Sequence, residues 1–289
     1  MIVIASKVGR LANRLLLFAH FIAAGAEHGF LVVNPAFHPY ARYFPSTARD
    51  LLCRFPAGRR LPAPPGSRQA LYRVAELAAD GLHRVQGAGR DVGLIRLRRD
   101  QALDLNSREF LDVVDRHRIV FVQDWFFRNR DNCARHRELI RSHFTPAERH
   151  LAGARAAVER ARQRGSLVVG VHVRRGDYRS FKGGRFFYSH EQYRGILEQV
   201  DAAFSADDVA FLVCSDAHVP ERSFESMNIV YGNGHQVDDL YALALCDRLV
   251  GPPSTYTTWA SYYGDVPRYV IKDPSESPGA GSFQVSRGL

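Results

Sequence analysis

Two periodicities alternate along the chain: short apolar runs of strand length, and longer stripes in which apolar residues recur every three or four positions. The clearest run is Leu167–Val173, LVVGVHV, which predicts a strand buried on both faces. It stops at Arg174, Arg175, Gly176 and Asp177. Residues 1–5 form a second short run. In residues 11–27 the positions Leu11, Leu15, Phe18, Ala19 and Ile22 keep helical spacing, and Gly29 supplies a C-terminal stop. With a strand over 30–34, this makes a βαβ unit, the building block of a parallel sheet.

The pattern then breaks. Residues 35–69 mix proline, arginine and aromatics, ending RRLPAPPGSRQ, and are expected to form a surface excursion or a mobile flap rather than a regular core element. A helix is expected over 71–82, either strand or loop over 92–105, and a strand over 119–122. The aromatics Trp125, Phe126 and Phe127 that follow are expected to pack between domains. Thr145-Pro146-Ala147-Glu148 reads as a capping box with proline at the first helical position, starting a helix that runs to about Gln163. Beyond Leu167–Val173 the pattern gives a glycine-paired loop at Gly183 and Gly184, a helix over 191–204, and strands over 208–214 and 228–231. It closes with a helix carrying Leu240, Leu243 and Ala244, a strand over 248–250, and a helix opening at Ser254 and Thr255. The fold class is α/β, with domains over 1–150 and 151–289.

At 289 residues, with 46% hydrophobic and 24% charged positions, the chain suits a soluble globular protein of two domains. Its net charge of +9 favours anionic partners. There is no long block of consecutive Lys and Arg, and the basic residues are mostly arginines scattered among apolar ones, as at Arg96, Arg98 and Arg99, so a dedicated nucleic-acid binder is set aside. Cys53, Cys133, Cys214 and Cys246 show no paired spacing, which points to reduced thiols in a cytoplasmic protein. No run reaches the ~20 apolar residues of a membrane span, and the apolar start followed by Lys7 and Arg10 reads as a strand rather than a leader.

Ligands of open α/β sheets sit beyond the carboxyl ends of the strands, which is where Arg174 and Arg175 fall. Guanidinium forks match phosphate oxygens two at a time, so a pyrophosphate is the natural guest. A structural ion pair to Asp177 is the other reading. Ser254 and Thr255, opening a helix, mark a second anion site, because a helix N-terminus offers free N–H groups and positive partial charge. Ser215 and Asp216 end another strand, as a ligand contact or a helix N-cap.

Several of these stretches resemble the α1,2-fucosyltransferase family and its α1,6- and protein O-fucosyltransferase relatives. HVRRGDY resembles the family's HxRRGDY signature. Gly9–Arg14, GRLANR, resembles its GRLGNQ opening, with Ala12 for Gly and Arg14 for Gln. Cys214-Ser215-Asp216 resembles its second motif. The stretch 238–265 resembles its third, with Gly251-Pro252-Pro253 for a polar run, Tyr256 for Phe and Thr258 for Trp.

The resemblance implies a GT-B fold of two Rossmann-like domains with the active site in the crevice between them. It also implies an inverting enzyme using GDP-β-L-fucose as donor substrate. The acceptor, an oligosaccharide or glycolipid, would lie against the N-terminal domain, with Arg10 and Asn13 contacting it. His172 and Asp239 would contact the nucleoside. Arg174 would stabilise the departing diphosphate, assisted by Arg175, Ser254 and Thr255. Asp177 is either an ion-pair partner or a candidate base. No Asp-x-Asp motif occurs, so no metal and no cofactor is expected, two arginines replacing a cation's charge. Peripheral association with the inner face of a membrane stays open. A different sugar-nucleotide donor and a non-catalytic nucleotide- or glycan-binding protein are the alternatives.

Overall fold

The computed structural model of the chain describes residues 1–58, 61–85, 89, 91–98 and 101–289; Arg59 and Arg60 of the proline-rich stretch lie outside them. Two compact units result, Met1–Ala147 with Gly288–Leu289, and Glu148–Arg287.

In chain order the first unit contains β1 (Ile2–Ile4), α1 (Leu11–His28), β2 (Val32–Val33), α2 (Pro45–Ala48), β3 (Arg54–Phe55), α3 (Ser67–Arg84), β4 (Val92–Arg96), β5 (Leu103–Asp104), α4 (Arg108–Arg116), β6 (Ile119–Gln123), β7 (Phe127–Arg128), α5 (Arg130–Arg135) and α6 (Arg137–His143). One sheet has the order β3-β2-β1-β6-β4, parallel except for the β2–β3 pair, and β5 pairs with β7. α1 ends where Gly29 turns left-handed at φ 75 and its N–H bonds the Gly25 carbonyl.

Three expectations are corrected. The stretch 35–69 is not merely a surface excursion: Phe37 and Phe44 are fully buried and close on Phe144, because aromatic area of that size gains most inside a core. Phe127 packs on Phe21 within the first unit. The helix expected to open at Pro146 begins two residues later, at Glu148, and the Thr145 hydroxyl donates to the Arg141 carbonyl at the end of α6.

The second unit contains α7 (Glu148–Arg162), β8 (Leu167–Val173), α8 (His190–Ala203), β9 (Val209–Ser215), β10 (Ile229–Tyr231), α9 (Gln236–Leu243), β11 (Arg248–Gly251), α10 (Thr255–Gly264) and β12 (Arg268–Val270). Its sheet is parallel throughout, in the order β10-β9-β8-β11-β12. The chain builds outward from β8 on one side and then resumes on the other, so the strand order reverses between β8 and β11. In open α/β sheets that reversal is where the carboxyl ends leave a crevice.

The two faces of β8 follow from its alternation. Val169, Val171 and Val173 join Tyr193, Ile196 and Leu197 of α8 in one core cluster. On the other face a Cβ on Gly170 would stand 2.7 Å from Leu243 of α9, so only glycine admits that helix. All four cysteines are buried. Among the described residues, no helix is long and apolar enough to cross a membrane.

Candidate functional site

The carboxyl ends of β8 and β11 are joined by side chains that leave each strand. Tyr178, on the 3-10 turn after β8, donates its hydroxyl to the Pro253 carbonyl after β11 at 2.5 Å. That bond holds Tyr178, over whose ring the Arg174 guanidinium lies at 5.3 Å, against the turn that precedes α10. Ser254 caps α10, its Oγ accepting the Tyr256 N–H at 3.1 Å, and Thr255 is the first residue of that helix.

Arg174 is 15% exposed and its guanidinium is held by two carboxylates. Nη2 donates to Asp177 Oδ1 at 2.6 Å, and Nη1 lies 2.9 Å from Asp216 Oδ2. Asp216, an exposed residue whose side chain is only 14% exposed, also accepts the Arg175 backbone N–H through Oδ1 at 2.8 Å, which fixes it to the strand end. A Cβ on Gly176 would fall 2.4 Å from Asp216 Oδ2, so the glycine is what lets this carboxylate close in. Asp177 is 49% exposed and lies on the turn 176–179. A guanidinium has five N–H donors; two point at these carboxylates, and the fork's remaining donors suit an anion.

Sequence reasoning missed the role of Asp216. No helix follows it for an N-cap to serve; the chain bends instead, and the Ser215 hydroxyl accepts the Ala217 N–H. The sequence shows only that an aspartate follows a strand; that Val173 pairs with Ser215, bringing Asp216 to the end of β8, comes from the sheet.

The two arginines do not form the expected paired clamp. Both lie past Val173, the last residue of β8, where the chain turns and Arg175 takes φ -118 and ψ -71. Arg175 leaves on the α8 side, donating to the Tyr188 carbonyl at 2.7 Å and stacking on Phe187 at 4.2 Å. It ties down the loop over residues 176–188 while Arg174 turns to Asp177 and Asp216.

His172 shares the Arg174 face. It is 3% exposed, stacks on Tyr256 at 4.8 Å, and its Nδ1 has no hydrogen-bond partner among the described residues. Burial first, and the Arg174 charge second, push its pKa down to about 3, so the ring is neutral. Asp239, buried near the start of α9, accepts the Asn233 N–H at 2.8 Å. Burial raises its pKa to about 6 against backbone hydrogen bonds that lower it. Tyr256 bridges toward α9, donating its hydroxyl to the Gln236 carbonyl at 2.7 Å.

In the first unit Arg10 precedes α1 in extended conformation, and Asn13 folds back over Gly9, where its side chain occupies the place a Cβ would take. Arg14 is structural: its guanidinium donates to the Gly9 and Ala36 carbonyls and lies over the Tyr40 ring.

No family model matches the chain, and no curated protein matches it by sequence. Solved structures do. A mutant form of Arabidopsis thaliana FUT1 in complex with GDP is 13% identical, with a TM-score of 0.63 over 98% of this chain and 73% of its own. Fucosyltransferase NodZ from Bradyrhizobium is 14% identical, TM-score 0.56, over 95% of this chain and 96% of its own. POFUT1 in complex with GDP-fucose is 12% identical, TM-score 0.54, over 96% of each chain. The likeness spans nearly all of the chain and establishes the fold: two Rossmann-like α/β domains of the GT-B type, as in fucosyltransferases.

Proposed function

We propose that the protein is a glycosyltransferase that moves L-fucose from GDP-β-L-fucose to a glycan hydroxyl, with inversion, the linkage being α1,2 to galactose. The observation that carries this reading is Arg174, standing past the strand-order reversal with its fork set by Asp177 and Asp216. The fold likeness to structures bound to GDP or GDP-fucose supports the same donor.

As the bond from sugar to β-phosphate breaks, negative charge grows on GDP. A guanidinium already oriented toward that oxygen stabilises the transition state more than the ground state. Asp177 is the exposed partner and gives way to the diphosphate; Asp216 stays and backs the fork. Ser254 and Thr255 add hydroxyl and N-terminal helix donors. Asp239 and the neutral His172 take the nucleoside. Arg175 acts through the loop it anchors. Arg10 and Asn13, on the N-terminal domain, take the acceptor. The fixed cationic charge on Arg174 does the neutralising work a metal does elsewhere, so transfer proceeds without one.

The test is release of GDP and transfer of labelled fucose from GDP-fucose to galactose-terminated acceptors by the purified full-length chain, with GDP-mannose and UDP-sugars in parallel. Transfer from GDP-fucose alone supports the reading. Preference for another donor replaces the sugar, and tight GDP binding without turnover on any acceptor makes the chain a binding protein.

A further inference from the structure

His150 on α7 and His235 with Asp238 at the start of α9 converge at a point the proposed chemistry does not use. Their ligand-type atoms all lie within 4.8 Å of one another. His150 Nδ1 is 2.6 Å and His235 Nδ1 is 2.9 Å from the same Asp238 Oδ1, and the two rings stack at 4.7 Å, 15° from parallel. His150 and Asp238 are largely buried. Gly153 of α7 admits the carboxylate, since a Cβ there would stand 2.4 Å from Asp238 Oδ2.

The hydrogen bonds around this cluster conflict. His150 Nε2 accepts from Arg149 Nε at 3.1 Å, so its Nδ1 carries the proton and donates to Asp238. His235 Nδ1 accepts the Val237 N–H at 3.3 Å. A neutral ring nitrogen that accepts has no proton left to donate. The same nitrogen lies 2.9 Å from Asp238 Oδ1, so it cannot accept the Val237 N–H and donate to the carboxylate at once, and a cation bound by both rings and the carboxylate takes the place of these competing contacts once the three ligands spread to coordination distance.

We infer that His150, His235 and Asp238 form a binding site for a divalent transition cation of the zinc class, which staples α7 to the start of α9. Two imidazoles and a carboxylate are the ligand set such ions prefer, with water completing a tetrahedron. Binding moves the His150 proton from Nδ1 to Nε2, and the exposed Arg149 withdraws from Nε2 to make room. No net proton is released when both rings start neutral. The role is structural, and independent of the fucosyl-transfer reading.

The full-length chain, stripped with chelator, is titrated with ZnCl2 by calorimetry and with Co2+ by visible absorption. One ion per chain, a four-coordinate Co2+ spectrum and a rise in Tm are expected. His235→Ala and Asp238→Asn, checked for folding by circular dichroism, each weaken binding by on the order of 100-fold or more and abolish the Tm rise. His150→Gln stands in should either fail to fold. Absence of stoichiometric uptake, or uptake unchanged in the variants, overturns the site. So does a wild-type response confined to protonation, seen as a pH-dependent Tm with no zinc effect.

Discussion

Replacing Asp216 with asparagine keeps the shape at the end of β9 and removes the charge. In the wild type, Oδ1 accepts the Arg175 N–H at 2.8 Å and Oδ2 sits 2.9 Å from Arg174 Nη1. The asparagine carbonyl still serves the first contact. Its amide nitrogen then meets the guanidinium donor to donor, so one charge-assisted bond is lost and replaced by a poor contact. Both side chains are only about one-seventh exposed, so solvent screens little of the loss. A bond to a charged group contributes ~1.5–3 kcal/mol net, and about 2 kcal/mol should vanish from the unfolding free energy. The freed fork also wanders from its set direction, and misplacement by about 1 Å costs on the order of 100-fold in rate. Urea unfolding and steady-state kinetics with GDP-fucose read both effects: a fall of about 2 kcal/mol, and a 10- to 100-fold fall in kcat by the same estimate. The control is Asp177→Asn, half exposed, which should cost under ~1 kcal/mol. An Asp216→Asn protein within about 0.5 kcal/mol of wild type and with unchanged kcat would refute the reasoning.

Gly176→Ala should reproduce the Asp216 defect in milder form, because its new methyl pushes on Oδ2; overpacking of this kind costs ~1–3 kcal/mol, readable in the same melts. For pH, burial lowers the His172 pKa to about 3 from its ordinary 6.5, so the unfolded chain binds the extra proton. Stability from this group is full above 6.5 and falls by ~1.4 kcal/mol per pH unit below it, down to about pH 3. Asp239 has the opposite sign. Its folded pKa of about 6 lies above 3.8, so it favours the folded state at acid pH and that contribution is lost as pH rises through 6. His172→Gln should therefore flatten the acid limb of a stability–pH curve, and Asp239→Asn should steepen it. Excess EDTA should leave kcat unchanged at temperatures below the Tm of the stripped protein, even where that Tm drops; lost turnover there would contradict a metal-free transfer step.

Features that depend on neighbouring residues were legible in the sequence. The unbroken run 167–173 became β8, Gly29 closed α1, and Ser254 capped α10. The site's support depends on strand pairing instead. Asp216 reaches Arg174 only because β9 lies in register beside β8, which no local pattern announces. Arg174 and Arg175 diverge at the turn that follows β8, a conformation two adjacent arginines do not announce. In the stretch 35–69, proline and arginine masked Phe37 and Phe44, whose burial depends on Phe18 and Phe144 arriving from distant elements. The His150, His235 and Asp238 cluster is invisible for the same reason, its members coming from two helices that meet only in the folded unit.

The most direct test of the central claim is the rate of GDP release from GDP-fucose by Arg174→Ala at saturating acceptor. Loss of a donor aimed at the developing charge should lower kcat by on the order of 100- to 1000-fold, with KM for the donor altered far less and circular dichroism unchanged. A kcat close to wild type in that folded variant would contradict the account.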